Sequence, residues 1–133
     1  MKNIVLCGSM TFVDEMQECA EVLRGMGFVP IVPIEDDWNN ICETEINAYK
    51  AKVSRRHFDR IADVATWGIL VVNKRKNNVD NYIGANSFAE IALAFYFGKR
   101  IFLLHDMYEP YVDELSAWGV EALGGDVLEI IQK

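Results

Sequence analysis

The fold is decided by the stretch GILVVN (68–73) followed by IGANSFAEIALAFYFGKRIFLLH (83–105). GILVVN is apolar almost throughout, as expected of a strand that is covered on both faces of its sheet. Apolar residues then recur at helical spacing from Ser87 to Phe97, and Gly98 supplies a typical helix stop. RIFLLH (100–105) is a further strand. Strand, helix and strand in this order predict a parallel βαβ unit.

The same alternation extends to both ends of the chain. The remaining predicted elements are a strand at 3–7, a helix ending near Gly25 and Gly27, the strand FVPIVPI (28–34), a long helix at 44–65, and a short helix, a strand near 120–123 and a terminal helix after residue 105. The prolines of FVPIVPI predict an edge strand. We therefore predict one α/β domain over residues 1–133, a three-layer sandwich around a mostly parallel sheet of four to five strands.

Composition excludes several classes of function. The formal net charge of -7 argues against a broad nucleic-acid surface. No segment is long and apolar enough to span a bilayer, and the apolar run before Ser9 is too short for a secretion signal, so we expect a first strand there. The three cysteines are odd in number and form no CxxC pair, so we expect reduced thiols in the cytoplasm. The two histidines, His57 and His105, lack metal-ligand spacing, and we predict neither a metal nor a cofactor.

Ligands of such sheets bind beyond the carboxyl ends of the strands. The rule selects four loops before any motif is considered: Gly8–Thr11, Glu35–Asn39, Asn73–Ser87 and His105–Tyr108. Residues 74–86 are long for a strand-to-helix connection, and long ordered loops are often functional. Trp38 and Tyr82 lie in these loops, where each could stack on a base or cover the edge of the core.

Ser87 and Glu90 form the S-x-x-E pattern of a helix capping box. On this interpretation their side chains satisfy two backbone amides and have no further role. The alternative starts from their place at the predicted crevice. A helix N-terminus stabilises a negative charge by about 0.3–1 kcal/mol, which would keep Glu90 ionised as a nucleophile. Gly84 and Asn86, just before it, would let the backbone approach a ligand closely.

The turn Cys7-Gly8-Ser9-Met10 follows the first strand. Its amides could hold an anion, or Ser9 or Thr11 could simply cap the next helix. The GxGxxG and GxxxxGK[ST] patterns are absent, so neither a dinucleotide nor a P-loop site is indicated.

Charged residues of the long helix and the long loop have simple structural explanations. Asp59 and Asp63 fall away from the apolar face, and Asp59 is spaced to pair with Arg55. His57 falls on the apolar face, which favours a core histidine. The cluster Lys74–Lys76 is either solvated charge or a phosphate contact.

Taken together, VLCGSM, GILVVN and YIGANSFAEIALAFYFGKRIFLL resemble the nucleoside 2-deoxyribosyltransferase-like family, which includes 2′-deoxynucleoside 5′-monophosphate N-glycosidases. The resemblance covers roughly residues 3–105. It implies a flavodoxin-like, Rossmann-type fold and cleavage or transfer of the N-glycosidic bond of a nucleoside or nucleotide. A carboxylate on the helix after the third strand attacks C1′, and water or a second base resolves the intermediate. Glu90 occupies that position.

The resemblance implies further site residues. An acid about eight residues before the third strand assists the sugar or base, which indicates Asp59 or, failing that, Asp63. The sugar and phosphate would meet the residues of the first turn and of the loop before Glu90, namely Gly8, Ser9, Met10, Tyr82, Gly84, Asn86 and Ser87.

Two positions depart from the family pattern. The Arg that often follows the turn in monophosphate-using members is missing, and Thr66-Trp67 replaces an Ala-Asp pair. A non-catalytic nucleotide-binding module therefore remains the alternative to an enzyme. The resemblance also implies a homo-oligomer, for which Phe95, Tyr96 and Trp118 could supply an interface.

Overall fold

The computed structural model describes residues 2–33 and 41–132, without the side chains of 131 and 132. The strands are β1 (Asn3–Cys7), β2 (Val29–Ile31), β3 (Thr66–Val71), β4 (Arg100–Leu103) and β5 (Glu121–Ala122). The α-helices are α1 (Val13–Gly25), α2 (Ile46–Ala62), α3 (Ala85–Tyr96) and α4 (Val112–Ala117). Short 3₁₀ turns span Met10–Phe12, Glu43–Glu45, Glu109–Tyr111 and Val127–Gln132.

The five strands form one sheet in the order β2-β1-β3-β4-β5. Every neighbouring pair is parallel. This is the strand order of flavodoxin-like folds, and it confirms the predicted α/β architecture. β2 is an edge strand, as its prolines predict, although it ends at Ile31. Ile34, the last residue of the predicted strand, lies outside the described residues.

Both faces of the sheet are buried, which explains the apolar strands. Alternate residues along β3 point to opposite sides, so that Leu70 joins one core cluster and Ile69 and Val71 join the other. The first cluster lies under α1, and the second lies under α2, α3 and α4. Three layers result, with the sheet in the middle.

Three helix boundaries differ from the sequence expectation. α2 runs from Ile46 to Ala62 and not from 44 to 65, because a 3₁₀ turn precedes it and Val64 is 99% exposed. α3 begins at Ala85, two positions before Ser87, and Gly98 follows it at φ +71°, the left-handed conformation that glycine adopts most easily. The terminal helix is a 3₁₀ turn.

Among the described residues, no helix combines the length and apolarity that crossing a membrane requires.

Candidate active site

A cavity of about 520 Å³ opens at the carboxyl ends of β1 and β3. Its walls come from the turn after β1, the inward face of α2, the loop before α3 and the first turns of α3. This is the crevice that the sheet topology predicts, since parallel strands all end at the same edge.

The turn after β1 depends on Gly8. Its φ is +141°, a conformation that other L-residues rarely adopt. A Cβ at this position would also lie 3.0 Å from the carbonyl oxygen of Val72. Ser9 then caps the following 3₁₀ turn, accepting a hydrogen bond from the Thr11 amide at 3.3 Å. The backbone and hydroxyl of the turn are thereby held beside the cavity.

Glu90 does not belong to a capping box, so that prediction is wrong. Gly84 is the N-cap of α3 and makes no side-chain capping bond, and its carbonyl accepts from the Phe88 amide at 2.9 Å. Because the helix begins at Ala85, Glu90 lies beyond the first turn and Ser87 lies inside the helix. Both side chains are buried, and both line the cavity.

The carboxylate of Glu90 meets two side chains from other elements. Its Oε2 lies 2.7 Å from Nε2 of His57 on α2, and the same Nε2 lies 3.6 Å from Sγ of Cys7 at the end of β1. Oε2 has no hydrogen-bond partner among the described residues, although His57 lies in ion-pair range of it. Burial, and then the charge of Glu90, raise the pKa of the Cys7 thiol well above its ordinary value. The thiol is therefore protonated at neutral pH.

A tight hairpin in the loop at residues 74–86 places the side chain of Lys76 at the cavity. Asn77 and Asn78 have φ values of +52° and +63°, and Lys76 and Val79 exchange backbone hydrogen bonds of 3.0 and 2.9 Å across them. Positive φ at both central residues defines a type I′ turn, which asparagine tolerates. Lys76 Nζ consequently donates to Ser9 Oγ at 2.9 Å and lies 5.6 Å from the ring centre of Tyr82.

The base of this loop is fixed by Asn73, which is fully buried. Its Oδ1 accepts from the His105 amide at 2.9 Å and its Nδ2 donates to the Asp106 carbonyl at 2.7 Å. These bonds join the ends of β3 and β4, as a buried amide requires. The long loop therefore starts from a rigid anchor.

Cations dominate the charges around the cavity. Lys50, Arg56, Arg60 and Lys76 line it, and Glu90 is the one acid among the described lining residues. The whole chain carries a formal charge of -7. The local excess of positive charge in a negative protein would attract an anionic ligand.

The structure brings together most of the predicted site residues. Those that line the cavity are Gly8, Ser9, Met10, Tyr82, Gly84, Asn86, Ser87 and Glu90. Asp59 and Asp63 do not, because they are exposed on the outer face of α2, where they line a separate open groove. Asp63 caps the end of α2 and accepts from the Ala65 amide at 2.8 Å. Trp38 and the loop Glu35–Asn39 lie outside the described residues.

Sequence reasoning missed the contribution of α2. His57, expected in the core, lies on the cavity wall with its ring against Glu90. The signal was present: Lys50, Val53, His57 and Arg60 recur at helical spacing, so one stripe of α2 carries both apolar and cationic side chains. The cluster of Cys7, His57 and Glu90 has no local spacing, because its members come from three separate elements.

No protein-family model matches this sequence, and no curated protein is similar to it at the sequence level. Two solved structures share its fold. Clostridium botulinum CMP N-glycosidase BcmB superposes with a TM-score of 0.57 at 15% identity, covering 98% of this chain and 96% of its own. The 2-deoxyribosyltransferase of Bacillus psychrosaccharolyticus superposes with a TM-score of 0.56 at 15% identity, covering 76% of this chain and 70% of its own. Both confirm the resemblance at the level of the fold.

Proposed function

We propose that this chain cleaves the N-glycosidic bond of a nucleoside 5′-monophosphate, with Glu90 as the nucleophile. One observation carries the proposal: among the described residues, Glu90 is the one carboxylate in the lining of a cavity that also has four cationic side chains. The fold is shared with a CMP N-glycosidase and a 2-deoxyribosyltransferase, which supports this class of reaction.

The carboxylate of Glu90 suits a double displacement. Its Oε2 is buried against His57, which leaves Oε1 to attack. A bond from Oε1 to C1′ forms as the bond from C1′ to the base nitrogen breaks, and the base leaves with the electron pair and takes a proton from solvent. Water then attacks C1′ as the C1′–Oε1 bond breaks, loses a proton to solvent and releases the sugar phosphate, which restores the carboxylate. A nearby anion also stabilises the oxocarbenium-like transition state.

The phosphate would bind at Ser9 and Lys76. The hydroxyl and ammonium groups already lie 2.9 Å apart, and both face the cavity beside the backbone of Gly8. A charged donor and a turn of backbone amides suit a phosphate group. Lys76 thus takes the place of the Arg that is missing after Ser9. Arg56, Arg60 and Lys50 add positive charge on the opposite wall.

The base would stack near Tyr82. Tyr82 lines the cavity, and its ring packs edge-to-face on Tyr108 with centres 5.9 Å apart. An aromatic ring held in this way offers a flat apolar surface to a base. Asp59 does not line the cavity of its own chain, so we assign it no role in binding or cleavage there.

A substrate panel tests the proposal. We would incubate the pure protein with ribonucleosides, 2′-deoxynucleosides and their 5′-monophosphates, and measure free base by chromatography. Base should appear from monophosphates far faster than from nucleosides. Thermal stabilisation by nucleotides without any release of base would instead favour the non-catalytic nucleotide-binding module.

A trapping experiment tests the nucleophile directly. Rapid acid quenching during turnover, followed by mass spectrometry of peptides, should find a pentose phosphate attached to the peptide that contains Glu90. The same adduct on a peptide without Glu90, or base release with no adduct at any quench time, would count against the assignment.

A further inference from the structure

Three donor atoms of different chemistry converge beside the cavity, at the part of its wall that His57 and Glu90 form. They are Sγ of Cys7, Nε2 of His57 and a carboxylate oxygen of Glu90, and all lie within 4.8 Å of one another. Each comes from a different element, β1, α2 and α3, so no local turn explains the convergence. Cys7 and Glu90 are buried, and His57 is mostly buried.

Hydrogen bonding accounts for only part of this arrangement, the contact of Cys7 Sγ with His57 Nε2 at 3.6 Å. Oε2 of Glu90 is buried and lies 2.7 Å from Nε2 of His57, yet it has no hydrogen-bond partner within residues 2–33 and 41–132. Buried polar atoms in native proteins are almost always paired with a donor or a ligand. Oε2 contacts His57 but accepts no hydrogen bond, so it has a lone pair available for a ligand at the centre of the cluster.

We propose that Cys7, His57 and Glu90 form a binding site for Zn²⁺. Sulfur, imidazole nitrogen and carboxylate oxygen are the donors that zinc takes, at roughly 2.3, 2.0–2.1 and 2.0–2.2 Å. Tetrahedral bonds of these lengths place sulfur and nitrogen about 3.5 Å apart. The observed Sγ to Nε2 distance is 3.6 Å. Nitrogen and oxygen would be about 3.4 Å apart, so the pair at 2.7 Å must open by roughly 0.7 Å when the metal binds.

The fourth coordination position would face the cavity. Glu90 and His57 both line it, so a water molecule or a ligand atom could reach the metal from that side. Three protein ligands with one open position are typical of reactive zinc sites and not of structural ones. Binding would release the Cys7 proton to solvent. Coordination through Oε2 would draw negative charge from the carboxylate and make Oε1 a weaker nucleophile, so zinc would inhibit. This inhibition, but not the binding, rests on the proposed function.

Cobalt substitution tests the site without any nucleotide. Co²⁺ added to chelator-treated protein should bind one per chain and give the thiolate-to-cobalt charge-transfer band and the intense visible bands of tetrahedral coordination. Zn²⁺ should then abolish both. Cys42→Ser is the matched control, since Cys42 is exposed and outside the cluster, and it should keep the charge-transfer band. Cys7→Ser should lose it, and His57→Ala should weaken binding at least tenfold.

The wild-type protein gives a second measurement that needs no variant. X-ray absorption of the zinc-loaded chain should show one sulfur and two or more nitrogen or oxygen neighbours. No charge-transfer band in the wild type, or a band that persists in folded Cys7→Ser and disappears in Cys42→Ser, would overturn the proposal. So would a zinc environment without sulfur.

Failure of this site and failure of the proposed function give different results. If metal-free protein releases base, and adding Co²⁺ to it produces no charge-transfer band, only the metal site is disproved. A cobalt band in a protein that never releases base keeps the metal site and removes the proposed enzyme.

Discussion

The two faces of α2 carry similar residues but face different surroundings. Toward the cavity, Lys50 and His57 lie opposite the buried carboxylate of Glu90. On the outer face, Lys52 and Asp59 line an open groove that contains both acids and bases of the same helix. The charges of a helix therefore do not identify a site by themselves. What distinguishes the inner face is a carboxylate that another element supplies, and the predictions below test that difference.

The largest effect should come from comparing two carboxylate-to-amide substitutions, one at the cavity and one on the outer face of α2. Glu90→Gln keeps the size of the side chain and removes the nucleophile, so base release should fall by at least about 10³-fold. Asp59→Asn on the outer face should stay within about twofold of the wild type, as surface changes usually do. Initial rates with a saturating monophosphate measure both variants.

The opposite result for these two variants would contradict the assignment of the site to the inner face of α2. If Asp59→Asn abolished activity while Glu90→Gln retained it, the outer face of α2 would be the functional one. Circular dichroism of both variants serves as the control, because it distinguishes a loss of activity from a failure to fold.

The next largest effect should be a difference in kcat/KM between substitutions of two lysines in the long loop. Lys76 contacts Ser9 at the cavity, whereas Lys74 pairs with Glu15 outside it. A hydrogen bond to a charged group contributes about 1.5–3 kcal/mol, so Lys76→Ala should lower kcat/KM for a monophosphate by roughly 10–100-fold. The nucleoside lacks the phosphate, and its kcat/KM should hardly change. Lys74→Ala is the control, and an equal loss in both variants would point to loop structure instead of phosphate binding.

The architecture could be predicted from the sequence because burial leaves a strong pattern. Strands covered on both faces are continuous apolar runs, as in β3, and the single proline of β2, Pro30, suits an edge strand. The helix boundaries were less accurate. The S-x-x-E pattern indicated a start at Ser87, but the chain turns into the helix at Gly84, where backbone geometry decides and no side chain marks the cap.

The candidate site was predictable where sheet topology alone positions it and not where it depends on the packing of one helix against another. Gly8 and Glu90 are on the expected edge of the sheet. His57 was assigned to the core because its apolar neighbours on α2 share its stripe, and only the packing of α2 beside α3 brings it to Glu90. Trp67 shows the same limit. It stacks on Phe28 with ring centres 5.6 Å apart, so this departure from the family pattern has a structural role.

A smaller effect should distinguish two lysines of α2. Lys50 lines the cavity, and Lys52 lines the outer groove. Lys50 is exposed, so its charge acts on an incoming anion mainly at a distance. Lys50→Ala should raise KM for a monophosphate about two- to fivefold at low ionic strength. High salt should remove the difference, because it screens exposed charges. Lys52→Ala should leave KM unchanged at both salt concentrations, and an equal rise would show that the helix attracts anions without regard to face.

The smallest effect concerns the ion pair of Glu15 and Lys74, which ties the long loop to α1 outside the cavity. Lys74 lowers the pKa of Glu15, and Glu15 raises the pKa of Lys74. The contribution of Glu15 to stability is therefore present above its unfolded pKa and is lost as pH falls through its lower folded value. That of Lys74 is present below its unfolded pKa and is lost as pH rises through its higher folded value. Glu15→Gln should lower the urea midpoint at neutral pH and leave it unchanged in acid, where Glu15 is protonated in both states. The change should be small, because exposed ion pairs contribute little to stability. Its kcat/KM should match the wild type; a selective loss with monophosphates would mean that this pair also positions Lys76.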